Sequence, residues 1–260
     1  MKEHKARKRF GQNFLHDPNV INRIVACINP KKGDRMVEIG PGQGAMTTPL
    51  LAALGEIDVV ELDRDLIPIL HQLLDDKGTL RIHSADALKF DFASLRQSGE
   101  KLRVVGNLPY NISTPLIFHL LEQAEIIQDM HFMLQKEVVD RLAAAPDSKA
   151  YGRLSVMVQY YCAVDKLFNV GPGAFKPAPK VDSAIVRLVP HAKPPVEVKD
   201  MQLFAEVVNR AFGQRRKTLR QAIKGLVSAE QMESIGIDSN RRGETLSLED
   251  FAALANLVSG

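Results

Sequence analysis

The 260 residues include 45% hydrophobic and 25% charged side chains with a net charge of +3, ordinary values that exclude a wholly disordered or fibrous chain. No run of 18 apolar residues occurs and no apolar segment backs the charged N-terminus, so neither a membrane span nor a secretory leader is expected, and a cytoplasmic protein is. Cys27 and Cys162 stand far apart and the seven histidines form no ligand-spaced cluster, so neither disulfide nor metal is expected, and both cysteines read as buried small hydrophobes.

The chain opens on a basic arm in which Lys2, Lys5, Arg7, Lys8 and Arg9 face Glu3 alone. Asp17-Pro18 then reads as a helix start, with Val20, Ile21, Ile24 and Val25 at helical spacing and a stop near Asn29-Pro30. Residues 35–39 form a strand that empties into Gly40-Pro-Gly42-Gln-Gly44, followed by an apolar helical run over 46–54. A second strand over 57–62 ends in acids, its helix covers 66–74, and a short third strand over 80–84 leads to Asp86. The fourth strand, 102–106, ends at Asn107-Leu108-Pro109-Tyr110, and a helix over 114–121 follows it. A fifth strand spans 130–134, with a helix over 137–144 behind it. This alternation specifies βαβ units and a mostly parallel sheet flanked by helices. Runs at 166–170 and 183–189, separated by the Gly/Pro-rich segment 171–179, read as an antiparallel addition to that sheet. After a linker at 191–196, residues 200–258 read as helical throughout. The expectation is an α/β domain over 1–190 and a small all-helical domain over 191–260.

Ligands of such sheets sit at the carboxyl ends of the strands, where the chemistry-bearing residues of this chain fall. The glycines at 40, 42 and 44 allow close backbone approach to a ligand, but their spacing is not the dinucleotide fingerprint Gly-x-Gly-x-x-Gly. Glu61 suits the two hydroxyls of a ribose, and Asp86 can accept from an adenine amino group. With no phosphate-binding lysine beside them, these residues describe a pocket for S-adenosylmethionine more than for NAD. In the tetrapeptide, the Asn107 amide oxygen and the Leu108 carbonyl can accept both hydrogens of an exocyclic amine. Pro109 stiffens the loop, and Tyr110 offers a face on which a base can stack. The second basic run holds Arg210, Arg215, Arg216, Lys217, Arg220 and Lys224 without an acid between 207 and 224. Positive charge concentrated at two places favours a polyanionic partner.

Lys8-Arg-Phe-Gly-Gln-Asn-Phe-Leu15, Glu38-Ile-Gly-Pro-Gly-Gln-Gly44, Glu61-Leu-Asp63, Asp86, Asn107-Leu-Pro-Tyr110 and Phe175-Lys-Pro-Ala-Pro-Lys-Val-Asp-Ser183 together resemble the rRNA adenine dimethyltransferases over essentially the whole length. The resemblance implies a Rossmann-like S-adenosylmethionine-dependent methyltransferase fold with a helical RNA-binding domain after it. It implies cofactor contacts from Asn13, Leu15, Gly40, Gly42, Glu61, Asp86 and Asn107, catalysis by Asn107, Leu108, Pro109 and Tyr110, and a place for Phe175 near the second face of the base. RNA contacts are expected from Lys5, Arg7, Lys8, Arg9, Arg215, Arg216, Lys217 and Arg220. The implied substrate is a pair of adjacent adenosines in the 3′-terminal hairpin loop of 16S rRNA within an immature 30S subunit, each dimethylated on N6 by a monomeric enzyme with a part in small-subunit biogenesis. Two other readings stay open at this point: an Erm-type 23S rRNA methyltransferase, and an assembly factor whose binding matters more than its catalysis. A NAD-dependent oxidoreductase ranks behind them, because the glycine spacing is wrong and no Tyr-x-x-x-Lys of that chemistry is evident.

Overall fold

The computed structural model describes residues 12–96, 99–214 and 216–258. The chain forms two compact units. It leaves the first at Asp140, returns at Asp165 to supply the last strands through Pro190, and leaves again at His191. Residues 140–164, read from the sequence as part of the first domain, thus group with the C-terminal segment.

The first unit begins with strand β1 (Phe14–Leu15) and helix α1 (Pro18–Ile28). Asp17 caps α1 by accepting from the N–H groups of Asn19 and Val20, Pro18 occupies its first turn, and Asn29 ends it in the left-handed conformation. The βαβ series follows as β2 (Arg35–Ile39), α2 (Thr47–Leu54), β3 (Glu56–Glu61), α3 (Ile67–Leu74), β4 (Thr79–Ser84), β5 (Leu102–Asn107), α4 (Ser113–Leu121) and β6 (Ile127–Gln135). Further along lie α5 (Lys136–Leu142), α6 (Arg153–Tyr161), β7 (Cys162–Val170), β8 (Phe175–Lys176) and β9 (Ser183–Pro190). The main sheet runs β4-β3-β2-β5-β6-β9-β7. The strands from β4 to β6 are parallel, and β9 lies antiparallel to β6, as the mostly parallel α/β reading requires. Leu50, Leu51, Leu70 and Leu74, from α2 and α3, are fully buried against β2 and β3 residues such as Met36 and Val59. Each such side chain contributes about 1.5–3 kcal/mol of transfer free energy. The connection from β4 to β5 carries the chain to the other side of β2, so the order reverses between β2 and β5. A crevice opens at such a switch point, at the carboxyl ends of the strands.

The second unit carries α6 together with α7 (Met201–Gly213), α8 (Leu219–Ala222), α9 (Ala229–Ser234) and α10 (Leu248–Val258). Phe204, Val207, Leu219, Ile223, Phe251 and Leu254 form its interior, and the Tyr151 hydroxyl donates to the Leu246 carbonyl at 2.9 Å. The helical reading of 200–258 is corrected here: Gly225 and Gly236 adopt positive φ and break the segment into short helices. Cys27 is also corrected, since it lies on the exposed side of α1, while Cys162 is buried; both are free thiols. Among the described residues no helix is long and apolar enough to cross a membrane, and no cluster of three or more metal-ligating side chains occurs.

Candidate active site

At the β2/β5 crevice lies a cavity of about 340 Å³, within the size range of small-molecule sites, roughly 300–1,000 Å³. Two glycines shape it. A Cβ on Gly42, whose φ is +58°, would stand 3.0 Å from the Phe14 ring, and one on Gly106 would stand 2.6 Å from the Ile39 carbonyl. The first keeps the loop after β2 tight, and the second lets the ends of β2 and β5 approach where the crevice opens.

Glu61, the last residue of β3, is 6% exposed. One carboxylate oxygen accepts from the Gly42 N–H at 3.3 Å and the other from the Asp63 N–H at 2.7 Å. Burial pushes this carboxyl above the ordinary range, against the opposing pull of those backbone donors. Asp86 follows β4, lines the cavity and accepts from the Leu88 N–H at 3.0 Å. Asn13, just before β1, and Leu15, within it, reach the same cavity; β1 pairs antiparallel with β8 so that Leu15 faces Phe175.

Asn107 ends β5, and its Nδ2 donates to the Asn13 carbonyl at 3.0 Å. That bond commits the amide nitrogen and leaves Oδ1 as the group able to accept from a ligand. Leu108 is anchored by its N–H to the Met133 carbonyl at 3.2 Å, and Pro109 and Tyr110 continue the cavity wall. The Tyr110 hydroxyl lies 2.7 Å from Ser183 Oγ. Burial raises its phenol pKa, and Ser183 pulls the other way.

Asn13, Leu15, Gly40, Gly42, Glu61, Asp86, Asn107, Leu108, Pro109 and Tyr110 therefore all line one cavity. Phe175 does not line it: its ring is 3% exposed and packs in the core behind Leu15. Lys5, Arg7, Lys8, Arg9 and Arg215 lie outside the described residues. Arg216, Lys217 and Arg220 belong to the second unit, where Lys217, Arg220 and Lys224 rim a shallow concavity.

Sequence reasoning passed over Glu38. This acid sits 1% exposed within β2, lines the cavity, and has an Oε2 with no hydrogen-bond partner among the described residues. Burial pushes its carboxyl up to about 7, with Thr47 pulling it down and Glu61 pushing it further up. The available signal was an acid between the apolar residues Val37 and Ile39 of a central strand. The cavity thus carries three acids, Glu38, Glu61 and Asp86, and no Lys, Arg or His among its described lining residues. Such a lining suits a cationic nucleoside ligand and not a phosphate-bearing one.

The sequence profile of the family described as "Ribosomal RNA adenine dimethylase" matches residues 3–259. The chain is 63% identical to the "Ribosomal RNA small subunit methyltransferase A" of Pseudomonas fluorescens strain Pf0-1, over 99% of this chain and 94% of that protein. It is 61% identical to the protein of the same name from Marinomonas sp. strain MWYL1, over 98% and 96%. Among solved structures it is similar to a dimethyladenosine transferase from Plasmodium falciparum, with a TM-score of 0.80 and 25% identity over 93% of this chain and 95% of that one. The 23S rRNA methyltransferase ErmE shares the fold at a TM-score of 0.75 and 24% identity, over 95% and 100%.

Proposed function

The chain belongs to the ribosomal RNA adenine dimethylase family, and from that premise we propose that its targets are two adjacent adenosines in the 3′-terminal hairpin loop of 16S rRNA. It is an S-adenosylmethionine-dependent rRNA adenine dimethyltransferase of the small-subunit type. The proposal adds that the protein meets an immature 30S subunit in the cytoplasm as a monomer and that the modification takes part in subunit biogenesis. One observation carries the reading of the site. Asn107 has its amide nitrogen committed to Asn13 while its oxygen remains available, on the wall of a cavity whose other walls carry Glu38, Glu61 and Asp86.

The described residues fit the methyl donor, because three acids and no base surround the space a sulfonium nucleoside would fill. Glu61 is the group for the ribose hydroxyls, Asp86 for the adenine amino group, and Glu38 for the positive end. Bound there, S-adenosylmethionine supplies an electrophilic methyl group whose S–C bonding pair returns to sulfur as the adenine N6 lone pair forms the new N–C bond. That lone pair is delocalised into the ring, so N6 is a poor nucleophile. Asn107 Oδ1 and the Leu108 carbonyl, accepting the two N–H hydrogens, favour a pyramidal nitrogen. The proton released from N6 passes to water, and no strong base is needed because the methylated nitrogen is acidic while it carries positive charge. Positioning supplies most of the acceleration, up to about 7–11 kcal/mol in well-oriented cases. Tyr110 adds a stacking face worth about 1–3 kcal/mol. After one transfer N6 keeps a hydrogen, so the same site acts again. Lys5, Arg7, Lys8, Arg9, Arg215, Arg216, Lys217 and Arg220 hold phosphates without reading bases.

The test is transfer of labelled methyl from S-adenosylmethionine to unmethylated small subunits and, separately, to large-subunit rRNA, followed by nucleoside analysis. Dimethyladenosine in the small-subunit sample alone is the expected result. Label in the large-subunit RNA contradicts the proposed target, and tight small-subunit binding without label in either contradicts the catalytic reading.

A further inference from the structure

Tyr110 is held by buried serines at its hydroxyl and at its backbone. Its hydroxyl lies 2.7 Å from Ser183 Oγ, and its backbone carbonyl accepts from Ser113 Oγ at 3.2 Å. Ser183 is 0% exposed and Ser113 1%. Ser183 opens β9, opposite Gln135 in the antiparallel ladder with β6, and the carbonyl of the preceding Asp182 accepts from the Lys136 N–H at 2.9 Å. The serine hydroxyl is therefore a fixed point of the sheet, and the phenol that meets it has its axis fixed too. Tyr110 is half-buried, so without that bond the ring is free to swing toward solvent.

Adenine offers two N–H donors to Asn107 Oδ1 and the Leu108 carbonyl, whereas a base already methylated once offers one. The second transfer has lost half of its polar orientation and relies more on the stacking face. Resting on the functional reading above, we propose that Ser183 is a positioning residue for the second methyl transfer: by holding the Tyr110 phenol it fixes the ring against which the monomethylated base is oriented.

The experiment follows mono- and dimethyladenosine over time on unmethylated small subunits, using the full chain and its Ser183→Ala, Ser183→Thr and Tyr110→Phe variants. Loss of about one hydrogen bond slows the second step relative to the first about fivefold, so Ser183→Ala accumulates monomethyladenosine. Ser183→Thr keeps the hydroxyl and restores the ratio of products. Tyr110→Phe keeps the ring, removes only the phenol oxygen, and reproduces the Ser183→Ala ratio without adding to it in the double variant. A purely structural role lowers the active fraction and slows both steps alike, leaving the ratio unmoved. An unchanged monomethyl fraction in Ser183→Ala, or in Tyr110→Phe should Ser183→Ala fail to fold, overturns the inference alone. Absence of dimethyladenosine with the unaltered chain overturns the functional reading and the inference with it.

Discussion

Replacing Glu38 by glutamine is expected to stabilise the cofactor-free protein while weakening its grip on the methyl donor. The carboxyl is fully buried, its Oε2 lacks a partner among the described residues, and its pKa is pushed by desolvation from the ordinary 4.5 to about 7. Between those two values the folded chain binds a proton that the unfolded chain has released, so stability falls as pH rises through the window. At 1.36 kcal/mol per pH unit, holding the ionised carboxylate at pH 8 costs about 3 kcal/mol. Glu38→Gln mimics the protonated acid and removes that cost. Urea unfolding at pH 8 is expected to show the variant more stable by about 3 kcal/mol, and at pH 4 the two proteins should agree. Calorimetric titration with S-adenosylmethionine gives the second half. Affinity of the unaltered protein rises with pH through about 7 as Glu38 ionises, while the variant binds about tenfold more weakly, the cost of one charge-assisted hydrogen bond, with no such rise. Parallel pH profiles in the two proteins would refute the assignment of the charge to Glu38.

Arg103 makes a two-pronged contact with Asp129, with both N–O distances 2.9 Å, meets Asp34 at 2.7 Å, and donates to the Ile28 carbonyl at the end of α1. Arg103→Met leaves Asp129 buried and unpaired, so denaturant unfolding should show a loss of about 3–5 kcal/mol; a loss under 1 kcal/mol would contradict a stabilising role for the cluster. Neutralising Arg216, Lys217 and Arg220 together should weaken RNA binding across sequences and flatten its salt dependence by about 0.7 for each single-stranded phosphate that these side chains no longer neutralise. An unchanged slope in filter-binding titrations would make these side chains a solvated face.

Much of the first unit is legible in the chain because its signals are local. Strands such as Arg35–Ile39 are short, largely buried segments bounded by turns, and Asp17-Pro18 carries its own cap chemistry. Glu61, Asp86 and Asn107 could be read as site residues because a parallel sheet delivers its strand ends to one edge. Features set by distant partners were not legible. Helix α6 is rich in β-branched and aromatic residues, Arg-Leu-Ser-Val-Met-Val-Gln-Tyr-Tyr, and shows no helical face. The β1–β8 ribbon pairs two residues with two others about 160 positions away. That ribbon buries Phe175 behind Leu15, where the motif alone suggested a base-facing ring. Ser183 gains meaning only from the Tyr110 hydroxyl across the loop.

The central claim, that Asn107 orients the target amine and does not merely hold the cofactor, is tested most directly with Asn107→Ala. The measurements are single-turnover methyl transfer to unmethylated small subunits and, in parallel, the dissociation constant for S-adenosylmethionine. Loss of orientation should cut the chemical rate by about 100-fold or more while the dissociation constant changes only a few-fold. Transfer at the unaltered rate, or a loss of affinity that accounts for the whole loss of rate, would contradict it.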